Sequence, residues 1–125
     1  MTRTSEERAL NSDEARVLDQ LLSLDFPGAS ALRLQRAHAR VVGRCQCGCA
    51  TVDLAVDISS APPAQGVSSP IPAEAEVVGE GEQPGGGVIV FLEDGYLSGL
   101  EIYSYSEPIR AWPAAGSLRP YVRGT

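Results

Sequence analysis

The spacing of apolar residues changes at Arg40, and this change constrains the fold more than any other feature of the chain. Before it, apolar side chains recur three and four residues apart, which is the period of an amphipathic helix. After it, they alternate with polar residues, which is the pattern of a strand with one buried face. This order of elements predicts an α+β protein, with two N-terminal helices packed on a mostly antiparallel sheet.

Two helices are predicted before the change of period. The first follows Asn11, a residue suited to the N-cap, and Glu14 stands where a capping-box partner would stand. The segment Phe26-Pro27-Gly28 ends this helix, because proline and glycine interrupt the helical backbone. The second helix is expected over about 29–39.

About five strands are predicted after the helices. They cover 40–44, 51–58, 71–78, 88–93 and 96–103. Asp94-Gly95 separates the last two, and this pair is typical of a two-residue hairpin turn that needs positive φ at both central positions. The polar residues 1–10 are expected to form a flexible arm, and residues 11–125 a single domain whose irregular tail folds Trp112 back onto the sheet.

Charge is distributed unevenly along the chain, although the formal total is only −6. Residues 1–44 carry seven arginines and six acids, whereas residues 45–109 carry ten acids and no basic residue. Phosphate binding requires clustered lysine and arginine, so no nucleic-acid partner is expected. The acids are expected on the exposed face of the sheet, where they could attract a basic protein partner.

The chain has no segment suited to a membrane. Its longest purely apolar run, Val88–Leu92, is five residues, whereas a spanning helix needs about 20. The first eight residues also lack the apolar core of a signal peptide. We therefore expect a cytoplasmic protein with reduced cysteines and no membrane partner, which is either a monomer or a homodimer paired through an edge strand.

All three cysteines lie in one five-residue segment between two predicted strands, Cys45-Gln46-Cys47-Gly48-Cys49. Thiolates are preferred ligands of zinc, which makes zinc the candidate cofactor. Two sulfurs bound to one zinc ion lie roughly 3.8 Å apart, whereas residues i and i+2 of an extended strand are about 6.6 Å apart. Gly48 would therefore have to supply a turn, and His38, the only histidine, is the candidate fourth ligand.

Two other interpretations of this segment stay open. Thiol redox chemistry would use the same cysteines, although its usual motif is Cys-x-x-Cys beside a helix N-terminus. Alternatively, the cysteines pack the turn against the helices and no cofactor is bound, because free cysteine behaves as a small apolar residue.

The sequence offers no set of residues suited to catalysis. The single histidine has no nucleophile or acid placed near it in sequence, so the chain is not expected to be an enzyme. A small acidic binding module, such as an inhibitor-like or immunity-like protein that covers a basic partner, is the leading prediction. A zinc or thiol-redox protein is the alternative.

Three segments, Leu24–Gly28, Gly43–Leu54 and Asp94–Glu101, resemble a group of small uncharacterised proteins from high-GC, actinobacterial-type bacteria. The use of arginine for all ten basic residues is consistent with such a genome. The resemblance covers about 11–112 and implies no activity. It implies that the cysteine segment and the hairpin are distinguishing features of that group.

Overall fold

The computed structural model describes residues 3–79 and 84–124. Its helices and strands are β1 (Arg3–Ala9), α1 (Ser12–Leu22), α2 (Ala29–Arg36), β2 (Ala39–Cys45), β3 (Val52–Val56), β4 (Ala73–Val78), β5 (Pro84–Glu93), β6 (Tyr96–Ser104) and β7 (Leu118–Val122), with a 3-10 turn at Ala115–Ser117. The α+β prediction is confirmed, but the antiparallel sheet has seven strands rather than about five.

The seven strands form one sheet in the order β1-β2-β3-β6-β5-β4-β7. Every neighbouring pair is antiparallel. The two strands that the sequence did not predict, β1 and β7, lie at the two edges. An edge strand pairs with only one neighbouring strand, through backbone hydrogen bonds. This pairing does not require alternating apolar side chains, so the sequence pattern did not indicate these two strands.

The N-terminal segment forms β1 rather than the flexible arm predicted for residues 1–10. It pairs with β2 from Arg3 opposite Cys45 to Ala9 opposite Arg40, with an irregularity between Ser5 and Arg8. Its charged sequence is consistent with an edge position, because charged side chains discourage pairing with further strands.

The C-terminal segment forms β7 rather than an irregular tail. Its residues pair with β4 from Leu118 opposite Val77 to Val122 opposite Ala73. Pro120 is compatible with this strand because an edge strand needs backbone hydrogen bonds on one side only. Trp112, just before this segment, is buried as predicted.

Helix α1 begins with the predicted capping box. The Asn11 side chain accepts a hydrogen bond from the Glu14 N–H at 2.8 Å, and Glu14 accepts one from the Asn11 N–H at 2.9 Å. Arg8 of β1 binds the same Glu14 carboxylate through two nitrogens, at 2.8 and 2.9 Å. Glu14 is 2% exposed, and its buried carboxylate links the edge strand β1 to helix α1. Neither helix in the described part of the chain is long and apolar enough to cross a membrane.

The hydrophobic core lies between the two helices and one face of the sheet. Fully buried side chains from both layers include Val17, Leu18, Leu21, Leu32, Val41, Ile71, Val88, Val90 and Leu100. The predicted hairpin is also present, with Asp94 at φ 53° and Gly95 at φ 84° between β5 and β6. Strand β5 begins at Pro84, four residues before the predicted start, and residues 80–83 of the predicted connection lie outside the described residues.

Candidate functional site

The three cysteines surround the turn between β2 and β3. Cys45 is the last residue of β2, and its N–H donates a hydrogen bond to the carbonyl of Thr51 at 3.2 Å, which closes the turn. Gly48 has φ +92°, a left-handed conformation that a residue with a Cβ rarely adopts. The turn that the metal hypothesis required of Gly48 is therefore present.

This turn brings the three sulfur atoms together. The Sγ atoms of Cys45 and Cys47 are 2.8 Å apart, and those of Cys47 and Cys49 are 3.0 Å apart. All three sulfurs lie within 4.8 Å of one another. An extended strand would hold residues i and i+2 about 6.6 Å apart, so the turn is what makes this cluster. We call these three residues the thiol cluster.

The thiol cluster opens to solvent. Cys47 is exposed and the other two cysteines are half-buried, and all three are free thiols. Sulfurs bound to one zinc ion lie roughly 3.8 Å apart, so rotation of the side chains would have to widen the shorter contacts by about 1 Å. Side chains at an exposed turn can make that adjustment without disturbing the core.

Hydrogen bonds within the thiol cluster shift the pKa values of Cys47 and Cys49 in opposite directions. Hydrogen bonds with Cys45 and Cys49 raise the pKa of Cys47 to about 11. Partial burial raises the pKa of Cys49, but hydrogen bonds from Cys47 and Thr51 outweigh that effect and lower it overall. Cys49 is therefore a better thiolate than Cys47, and Cys47 acts as its hydrogen-bond donor.

Residues distant in sequence hold the turn in place. The Thr51 hydroxyl, which is buried, accepts a hydrogen bond from the Ile102 N–H at 3.0 Å and lies 3.2 Å from the Ile102 carbonyl. The Ala50 N–H donates to the carbonyl of Ile109 at 2.9 Å. Sequence analysis missed these contacts, because nothing in the local pattern indicates which residues of β6 and the C-terminal segment meet the turn.

Two arginines approach the thiol cluster. A Cβ at position 48 would overlap the Arg110 guanidinium, which shows that this side chain lies against the turn. An irregularity in the β2–β3 pairing between Val41 and Gly43 places Arg44 opposite Val52. Arg44 and Arg110 consequently line one cleft beside the turn.

His38 does not join the thiol cluster. It precedes Ala39, the first residue of β2, whereas Cys45 is the last residue of that strand. A strand rises about 3.3 Å per residue, so the two residues are separated by about 20 Å. The His38 carbonyl instead accepts a hydrogen bond from the Asp57 N–H at 3.3 Å. The predicted fourth ligand is therefore at the wrong end of the strand.

Comparison with known proteins identifies no family. No protein-family model matches the chain, and no curated protein or solved structure matches it.

Proposed function

We propose that this protein binds a zinc ion through the thiolates of Cys45, Cys47 and Cys49. The observation that supports the proposal is the approach of three sulfurs to within 4.8 Å of one another. Three uncharged thiols gain little from such an arrangement, since S–H groups are weak hydrogen-bond donors and acceptors. Three thiolates around one soft cation gain a great deal.

The fourth coordination position would be filled from outside the turn. Zinc is usually four-coordinate, and within residues 3–79 and 84–124 the cluster of potential ligands contains only the three cysteines. A site with three protein ligands and an open position can accept water, a small thiol or a side chain of another protein. The exposure of Cys47 leaves room for such a ligand.

A redox function of the same cysteines has less support. Redox-active cysteines commonly sit at a helix N-terminus, where the helix dipole stabilises the thiolate. The thiol cluster instead lies in a turn that connects two strands. The lowered pKa of Cys49 comes from hydrogen bonds with Cys47 and Thr51, and a metal ion would replace the hydrogen bonds between thiols.

Titration of the reduced, metal-free protein with zinc tests the proposal. We expect one zinc ion per chain and protection of all three thiols from a thiol-specific reagent. Cobalt(II) in place of zinc should give the visible absorption of a tetrahedral site and the near-ultraviolet absorption of thiolate ligation. Cys47→Ser should weaken zinc binding at least about tenfold, because it removes one thiolate.

His38→Ala is the matched control. It removes the only histidine of the chain, so the proposal expects unchanged zinc affinity and stoichiometry. Equal loss of affinity in the two variants would contradict the three-cysteine site. Absence of stoichiometric binding by the reduced protein, with three thiols that react freely in excess zinc, would also overturn it.

A further inference from the structure

One face of the sheet is left uncovered by the elements that pack on the other. Both helices lie on the core face, and they contact the β3–β4 connection and the β6–β7 connection there. Gln35 of α2 donates to the carbonyl of Pro62, and Arg16 of α1 donates to that of Pro113. The opposite face, which we call the open face, carries the outward-pointing residues of the strands.

Strand register aligns aromatic and acidic side chains on the open face. Tyr103 of β6 stands opposite Gly87 of β5, and Gly87 stands opposite Glu76 of β4. The next row along these strands pairs Glu101 with Ile89. Successive rows are about 6.6 Å apart, because same-face residues are two positions apart on each strand.

A third row completes the pattern. Phe91 of β5 is opposite Gly99 of β6, and Gly99 is opposite Asp53 of β3. The Phe91 ring packs over Gly99, and the Tyr103 ring packs over Gly87. Each glycine therefore leaves space that a neighbouring aromatic side chain occupies.

Two tyrosines on this face are exposed, one on the inner strand β6 and one on the edge strand β7. Tyr103 is 38% exposed and Tyr121 on β7 is 46% exposed. Tyr105, two residues beyond Tyr103, is 66% exposed, and the centroids of these two rings are 5.9 Å apart. An exposed aromatic group of this kind commonly marks a binding surface.

The charge of the open face is negative around these rings. Four carboxylates, Asp53, Glu74, Glu76 and Glu101, stand on β3, β4 and β6. Arg123 forms an ion pair with Glu74, and Arg119 stands opposite Glu76 at the β7 edge. Arg40 of β2 also points to this face, between buried Ala39 and Val41, and forms an ion pair with Glu7 at 3.7 Å. These arginines lie toward the two edges of the sheet, so the charge around Tyr103 in its middle is negative.

We propose that the open face docks an arginine-rich segment of another protein. An arginine guanidinium can lie on an aromatic ring and donate hydrogen bonds to carboxylates beside it, and Tyr103 with Glu101 and Glu76 offers both. A second copy of the chain would bring like charges together, and nucleic acid or an anionic membrane would bring phosphates to carboxylates. The docking surface is separate from the thiol cluster and does not depend on a metal.

Binding of a fluorescein-labelled octa-arginine peptide, followed by fluorescence anisotropy, tests the proposal. We expect saturable binding that weakens as salt concentration rises, and weaker binding of octa-lysine, which cannot lie on the ring as a planar group. Tyr103→Ser should weaken octa-arginine binding by about two- to fivefold, whereas Tyr103→Phe should retain it. Circular dichroism shows whether the serine variant is folded.

Glu101→Gln and Asp25→Asn form the matched pair. Each removes one negative charge, but Glu101 lies on the open face and Asp25 lies in the exposed connection between α1 and α2. The proposal expects weaker binding for Glu101→Gln alone. Equal effects of the two substitutions would show that only net charge matters and would overturn the proposal. It would also be overturned if sedimentation experiments showed a dimer that becomes more stable in Glu101→Gln.

Discussion

Replacement of Gln35 by leucine tests how helix α2 is fastened to the sheet. Gln35 is fully buried, and its side chain makes three hydrogen bonds to backbone groups. Its amide nitrogen donates to the carbonyls of Pro62 and Gly95, each at 2.9 Å, and its carbonyl oxygen accepts from the Leu97 N–H at 2.9 Å. One side chain thus joins the helix, the hairpin and the connection before β4.

The expected loss in the free energy of unfolding depends on which backbone groups are left without a hydrogen-bond partner in the variant. In Gln35→Leu the Leu97 N–H is left in a buried position without its acceptor, which costs about 1–3 kcal/mol. The other two hydrogen bonds contribute about 0.5–1.5 kcal/mol each, since the Gly95 carbonyl still accepts from the Ala64 N–H at 2.8 Å. The free energy of unfolding should therefore fall by about 4 kcal/mol, because leucine has a similar volume and creates no large cavity.

Urea unfolding measures this loss directly. With a slope of about 2 kcal/mol per molar urea, a loss of about 4 kcal/mol lowers the midpoint by about 2 M. Gln65→Leu is the matched control, because Gln65 is exposed and the same substitution there should change stability by less than about 0.5 kcal/mol. A loss below about 1 kcal/mol in Gln35→Leu would refute the reasoning that these hydrogen bonds hold the helix to the hairpin.

Two further predictions concern the open face and the hairpin. The hydrogen bond to Glu74 raises the pKa of Tyr121 from 10.0 to about 12. The contribution of this hydrogen bond to the free energy of unfolding is therefore complete below pH 10 and is lost as the pH rises toward 12. Tyrosinate absorbance should therefore show late ionisation of Tyr121 that Glu74→Gln moves toward 10, in addition to Tyr103, whose pKa is raised by partial burial. Simultaneous ionisation of all four tyrosines would contradict this. Gly95→Ala should lower the free energy of unfolding by at least about 1–2 kcal/mol, because φ is +84° and the added Cβ would stand 2.6 Å from the Ala64 carbonyl oxygen. Gly116→Ala, with open space around it, should cost little, and equal urea midpoints for the two alanine variants would contradict the prediction.

Much of the architecture follows from local sequence pattern. The capping box at Asn11 and the hairpin at Asp94-Gly95 are both present, because each depends on a few neighbouring residues with specific side chains or backbone freedom. The alternation of buried and half-buried residues in β4 is likewise visible in the sequence. These features are decided over short distances, where side-chain chemistry and backbone conformation act directly on each other.

Local sequence pattern predicted only part of the candidate site. The spacing of Cys45, Cys47 and Cys49, with Gly48 between them, indicated that a turn could gather three sulfurs, and the turn does so. His38 is seven residues before Cys45 in sequence, and strand β2 between them places it at the opposite end of that strand. Sequence distance predicts spatial distance only when the conformation of the segment in between is known.

By itself, the sequence determined an α+β chain with two helices, a hairpin and one cysteine turn. The tertiary structure alone decided that the polar residues Arg3–Ala9 would form an edge strand, and which distant residues would support the cysteine turn. It also placed Tyr103, Glu101 and Glu76 together on one face, across three strands. Strand pairing brings about these contacts through backbone hydrogen bonds, which every residue except proline can make, and side-chain pattern therefore leaves the order of the strands open.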